Sequence, residues 1–259
     1  MQESFTAFCE SLWRDWLAGT LETSPFVKAA FDLDAAPEPY ISFSAGTRPL
    51  VALTTNPGAT MPHQRRAAVR IDGGPLSTSA KYATAAKALG DFYEQRLTGP
   101  ARRRIARLRS LSALMGTDGV VQVEVCPFHS PSLPKKDGLL RAIREDGLLT
   151  RYVDHVQRFL RDQMVLVVSA APSRVSLGPG MSLSAWVTWQ AKLAGLDLER
   201  AEFVPLVRKG AKTTCGAFVS SDNGAPKGLV LMMGGNHLPG EERLGILAEA
   251  LRRSTGHAG

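Results

Sequence analysis

The sequence predicts an α/β protein: a three-layer αβα body around a central, mostly parallel sheet of four to five strands, with residues 1–259 forming one domain behind an N-terminal helical cover over about residues 1–35. Three observations predict it. Short apolar runs rich in Val and Leu recur along the chain, helical stretches of ten or more residues separate several of them, and Gly/Pro-rich polar segments end them. That alternation is the pattern of a parallel sheet covered on both faces.

The elements follow in order. Residues 4–21 place Phe5, Phe8, Leu12, Trp13 and Trp16 at helical spacing, an amphipathic helix that packs on the body. Two short strands follow the Pro-containing stretch 35–39, at 40–44 and 49–54. Residues 61–78 are polar, basic and without a sustained period, a functional loop or covering insert that carries Arg65, Arg66 and Arg70. Helices are predicted over 79–97 and 101–114, with Thr98-Gly99-Pro100 between them. Four further apolar runs, 119–125, 164–169, 216–219 and 228–233, complete the sheet. Helical stretches at 139–161 and 182–194 lie between them, and a last helix runs over 241–253 with a stripe of Leu244, Leu247 and Leu251.

Composition narrows the function. A chain of 259 residues that is 44% hydrophobic and 21% charged buries a sizeable core. Its net charge of +7 attracts polyanions, nucleic acid among them. Cys9, Cys126 and Cys215 are odd in number and far apart, against both a disulfide framework and a multi-Cys zinc or iron–sulfur site. No signal peptide is visible and no apolar stretch reaches the roughly 18–20 residues of a membrane span, so the expectation is a soluble cytoplasmic protein without a membrane partner. No His-x-x-x-His pair, nucleophile elbow, dinucleotide fingerprint or phosphate-loop signature is present, so neither a metal nor a cofactor is expected.

Chemistry concentrates where apolar runs end. The first exit is Thr55-Asn56-Pro57-Gly58: Pro57 fixes a backbone angle, Gly58 permits close approach, and Asn56 offers donor and acceptor, enough to hold a water. An ordinary Asn-Pro-Gly turn is the plain alternative. A second exit, Cys126-Pro127-Phe128-His129-Ser130, adds an aromatic ring that could stack on a base and an imidazole, although a Phe after a buried strand more often packs inward. The third, Gly234-Gly235-Asn236-His237-Leu238-Pro239-Gly240, sets an amide and an imidazole before a helix N-terminus, which favours developing negative charge. Capping by Asn236 and His237 is the alternative there. In open α/β sheets, ligands bind outside the carboxyl ends of the strands, so the exits are read as walls of one site. The helix at 101–114 carries Arg102, Arg103, Arg104, Arg107 and Arg109, a stripe that could track phosphates or be a solvated face.

These segments resemble the uracil-DNA glycosylase superfamily, in particular its mismatch-specific and single-strand-selective branches. A first motif of the form Gly-x-Asn-Pro-Gly looks like Thr54-Thr55-Asn56-Pro57-Gly58, with Thr54 in the place of Gly, and a late His-Pro-Ser or Asn-Pro-Ser motif looks like Asn236-His237-Leu238-Pro239, with Leu238 interposed. The resemblance runs over roughly residues 40–250, with identity confined to a few positions. It implies a DNA glycosylase that hydrolyses the N-glycosidic bond of a flipped base, a monomer with DNA as partner, Asn56 holding the attacking water and His237 serving the leaving base or a phosphate. Thr55, Pro57, Gly58, Tyr82, Phe128, His129 and Asn236 would line the substrate pocket, and Arg65, Arg66, Arg102, Arg103 and Arg107 would contact DNA. Two other classes stay open: a non-catalytic nucleic-acid or nucleotide binding module of the same fold, and a small-molecule hydrolase on a Rossmann-like sheet.

Overall fold

A computed structural model describes residues 3–43, 46–55, 58, 60–70, 81–130, 136–171, 177, 181–207, 215–233 and 238–256. In chain order these form α1 (Phe5–Ala18), α2 (Pro25–Ala30), β1 (Tyr40–Ser42), β2 (Leu50–Thr54), a 3-10 turn (Pro62–Gln64), α3 (Arg66–Arg70), α4 (Tyr82–Arg96), α5 (Gly99–Leu114) and β3 (Val120–Glu124). There follow α6 (Lys136–Glu145), α7 (Gly147–Leu160), β4 (Met164–Ala171), α8 (Ala185–Leu193), β5 (Glu202–Pro205), β6 (Cys215–Asp222), β7 (Ala225–Met233) and α9 (Glu241–Gly256). The described residues form a mixed α/β fold with a seven-stranded sheet in the order β1-β3-β2-β4-β7-β6-β5.

The chain divides into two compact units, Met1–Phe43 with Thr54–Arg96 and Gln122–Phe159, and Ser44–Leu53 with Leu97–Val121 and Leu160–Gly259. In the first unit, α1 starts where the Ser4 hydroxyl accepts from the Ala7 amide (3.2 Å) and stops at Gly19, whose φ of 76° is the left-handed cap that glycine adopts cheaply. Its buried face is the stripe expected from sequence, Phe5, Phe8, Leu12, Trp13 and Trp16, joined by Cys9. Phe5 stacks on Phe159 at 4.9 Å and Trp13 tilts onto Tyr82 at 5.6 Å. The approach of α4 to β1 depends on Gly90, because a Cβ there would lie 1.9 Å from the Ser42 carbonyl oxygen.

In the second unit, β2 pairs parallel with β4 from Leu50↔Met164 to Leu53↔Val167, and β4 pairs parallel with β7 from Val165↔Lys227 to Ala171↔Met233. Their central residues, among them Val51, Leu166 and Val230, are fully buried, which is why these strands read as continuous apolar runs. Lys227 is buried too, and its ammonium donates to the carbonyls of Leu160 (2.6 Å), Arg161 (2.9 Å) and Gln163 (2.6 Å). A single cation thereby satisfies three carbonyls in the connection to β4. Burial pushes that ammonium down to about 8, while Asp222 and Asp162 pull it back up.

The sheet corrects the expected strand count of four to five, and it is mixed. Next to β7, β6 runs antiparallel, from Cys215↔Met232 to Asp222↔Ala225, and β5 runs antiparallel to β6. The cause is local: Asn223 (φ 50°) and Gly224 (φ 74°) form a two-residue turn with both φ angles positive, whose twist suits a hairpin. A parallel pair would need a crossover of a dozen residues or more. The stretch 139–161 is two helices and not one, because Asp146 accepts from the amides of Leu148 (3.0 Å) and Leu149 (2.9 Å) and caps α7. Within 61–78, the described residues hold a 3-10 turn and α3 where an irregular loop was expected. Among the described residues, no helix is long and apolar enough to cross a membrane.

Candidate functional site

Two of the three strand exits meet within the first unit. The Thr54 carbonyl accepts from the Val125 amide (2.8 Å), that of Thr55 from Cys126 (2.9 Å) and that of Gly58 from Ser130 (2.8 Å). The Thr54 hydroxyl adds a bond to the Val123 carbonyl (3.2 Å). The exit of β2 is thus laced to the exit of β3, with both segments advancing together. Gly58 has φ 85°, a conformation that costs a side chain and not a glycine. Thr55 and Gly58 are half-buried.

Behind this junction lies a buried polar cluster assembled from four parts of the same unit. Glu38, before β1, and Gln64, in the 3-10 turn, are each 1% exposed, and His129, after β3, is fully buried. Glu38 Oε1 accepts from Gln64 Nε2 (2.5 Å) and from the hydroxyl of Tyr93 on α4 (3.0 Å). Gln64 Nε2 also donates to the Tyr93 hydroxyl oxygen (2.7 Å), and Gln64 Oε1 accepts from the Met61 amide (2.6 Å). His129 Nε2 stands 3.6 Å from Glu38 Oε1, and neither ring nitrogen of His129 has a hydrogen-bond partner among the described residues. On β3, Glu124 is fully buried and accepts from Gln122 Nε2 (2.6 Å). Burial, then the charge of Glu38, pushes the Tyr93 phenol well above its ordinary range, so Tyr93 keeps its proton and donates. Burial also pushes the His63 imidazole below its usual value, against the pull of Glu38.

Cys126 is fully buried and its thiol is pushed up to about 12, first by burial, which leaves it protonated and unsuited to nucleophilic attack. All three cysteines are free and buried. Among the described residues, no group of three His, Cys, Asp or Glu side chains is placed to hold a metal ion.

The structure distributes the residues named from sequence unevenly. Tyr82 is fully buried, its hydroxyl donating to the Tyr40 carbonyl (2.7 Å), and Phe128 is 1% exposed against Phe31 (ring centroids 6.3 Å). Both are core side chains. Arg65 pairs with Asp32 (3.0 Å) and Asp34 (3.4 Å). The guanidinium of Arg66 lies over the Trp16 ring (5.3 Å) and donates to the Leu33 carbonyl (3.2 Å). In the second unit, Arg102 and Arg103 are exposed on α5 while Ile105 and Leu108 are buried, as the helical period requires. Arg107 is half-buried and donates to the carbonyl of Leu238, just ahead of α9. Asn56, Pro57, Asn236 and His237 lie outside the described residues.

Glu38, Gln64 and Tyr93 were not among the residues singled out from sequence. The one local signal was Pro37-Glu38-Pro39, a carboxylate between two prolines directly before an apolar strand. Gln64 and Tyr93 carry no motif, and only the fold brings them together. Compared with protein-family models, characterised proteins and solved structures, the chain has no match.

Proposed function

We propose that this chain is a divergent member of the uracil-DNA glycosylase superfamily that removes a damaged or modified base from DNA. The observation that carries the proposal is topological. From β2 the chain passes to β3 on one side and later to β4 on the other, so the strand order reverses at β2. Open α/β sheets bind ligands outside the carboxyl ends of their strands at such a reversal. What stands at the carboxyl end of β2 is Thr55-Asn56-Pro57-Gly58, a polar sequence suited to holding a water. In this reading the sheet is the middle layer of a three-layer αβα body.

The chemistry is hydrolysis. Asn56 orients a water whose oxygen bonds to the sugar C1′ while the C1′–N bond breaks and its electron pair leaves with the base. His237 stabilises the departing base or supplies its proton, and the proton that the water loses passes to solvent, so that the products are the C1′ hydroxyl and the free, reprotonated base. A base within a duplex must first be extruded from the stack. Arg102 and Arg103, exposed on α5, suit phosphate contacts.

Strand breakage after hot alkali tests this, on oligonucleotides carrying uracil, other deaminated bases or modified pyrimidines. Wild type is expected to cleave at one of them and Asn56→Ala to lose about 10²–10³ in kcat, the scale of removing a positioned polar group. Equal turnover by both proteins overturns the role of Asn56. The burial of Tyr82 and Phe128, which leaves neither ring free to stack on a base, favours a second reading, a binding module of the same fold. Affinity for DNA without product from wild type or variant selects it. Salt-insensitive activity on a free nucleoside without DNA binding selects a small-molecule hydrolase instead.

A further inference from the structure

The buried cluster behind the β2 exit has no part in the chemistry just described, and its composition is costly to keep. A carboxylate removed from water must be compensated by hydrogen bonds and opposite charge. For Glu38 the compensation comes from the amide of Gln64 (2.5 Å) and the hydroxyl of Tyr93 (3.0 Å), and His129 Nε2 stands 3.6 Å away. Both bonds, and the approach of His129, fall on the same oxygen, Oε1. His129 offers no other polar contact for its ring among the described residues, so its side chain is held by this carboxylate and by packing.

The partners of Glu38 are what tie down the chain beyond β2. Gln64 Oε1 accepts the Met61 amide (2.6 Å), so the amide side chain that donates to Glu38 also fixes the start of the 3-10 turn. His129 sits in a backbone bound on both sides: its own carbonyl accepts from the Asp32 amide (2.9 Å), and the next amide, that of Ser130, donates to the Gly58 carbonyl (2.8 Å). Gly58 directly follows Asn56 and Pro57 in sequence, and Met61 comes three residues later. We infer that Glu38 is a positioning residue, which through Gln64 and His129 fixes the described residues that follow Asn56. Its catalytic consequence rests on the base-excision reading, and its structural consequence does not.

Amide hydrogen exchange separates the two. Glu38→Gln keeps the shape and the acceptor oxygen but removes the charge that faces His129. Exchange at Met61 and Ser130 is expected to rise about tenfold, while the Leu149 amide, bonded to Asp146 in the same unit (2.9 Å), keeps its wild-type rate. An equal rise at Leu149 marks general destabilisation and overturns the inference, as does no change at Met61 and Ser130. Tyr93→Phe removes one donor to the same oxygen and carries the test if Glu38→Gln does not fold, with Met61 again expected to exchange faster than wild type and no change there overturning it. On the substrate that wild type cleaves, Glu38→Gln is expected to lower kcat at unchanged KM, and unchanged kcat overturns the positioning role. If wild type cleaves nothing in the panel, the base-excision reading fails and the exchange rates alone decide this one.

Discussion

His155 is a histidine built to stay neutral. Its ring stacks on Phe8 at 4.5 Å and 28°, and its Nδ1 is buried without a hydrogen-bond partner among the described residues. Burial pushes its imidazole below the usual 6.5, Arg158 pushes the same way, and Glu3, 3.7 Å from Nε2, opposes without reversing the shift. With the folded value below the unfolded one, the unfolded chain takes up a proton that the folded chain refuses as the pH drops through about 6.5. The group therefore contributes stability above that window and loses it on acidification. His155→Phe keeps the stack and removes the titration, so urea unfolding at about pH 7.5 and about pH 5.5 should give a smaller acid loss than wild type. Equal losses would show that His155 titrates alike in both states. Residues of this kind were legible from sequence only in part. The stripe of α1 followed from spacing, whereas Tyr82 and Phe128 offered polar or aromatic chemistry that burial withholds: an aromatic beside a buried strand gains most by packing inward.

Elements are joined in the first unit by caps that do two jobs. Asp146 is 1% exposed; Oδ1 accepts from Leu148 (3.0 Å) and Leu149 (2.9 Å) at the start of α7, and Oδ2 accepts from the Ser24 amide (2.5 Å). Ser24 in turn caps α2, accepting from Val27 (3.3 Å) with Pro25 at the first helical position. Asp146→Ala thus removes a cap, at about 0.5–2 kcal/mol, and strands a part-buried amide, at about 1–3 kcal/mol. Urea unfolding should register a loss of about 1.5–5 kcal/mol, with Asp146→Asn, which keeps one acceptor oxygen, between wild type and Asp146→Ala. A loss below about 0.5 kcal/mol would mean water replaces the carboxylate. This cap also explains the helix boundary that periodicity missed. The apolar stripe runs on through residues 139–161, so only the capping preference of Asp146 marks the break. The parallel strands were legible for the opposite reason, since burial on both faces leaves a continuous apolar run. The strand β5 was not: its four residues bury Val204 alone and end in the exposed Pro205, too short to stand out. The antiparallel turn after β6 is written as Asn223-Gly224, a two-residue hairpin signal missed at the sequence level.

Across the whole chain, 31 Lys and Arg face 24 Asp and Glu, and the net charge of +7 predicts affinity for polyanions without saying which cations meet them. The structure sorts the candidates. Arg65 is held by Asp32 and Asp34, Arg66 by Trp16 and the Leu33 carbonyl, and Arg107 by the carbonyl of Leu238, so replacing any of these disturbs internal contacts as well as charge. Arg102 and Arg103 are exposed while Ile105 and Leu108 are buried, so their removal changes charge with little effect on packing. On duplex DNA each lost phosphate contact lowers the slope of log K against log salt by about 0.9. On the proposed DNA-binding reading, the double variant Arg102→Ala/Arg103→Ala should therefore flatten that slope by nearly 2 and weaken binding by the same factor on unrelated sequences. A wild-type slope in the double variant would make the α5 arginines a solvated face, and a loss confined to one sequence would mean that they touch bases and not phosphates.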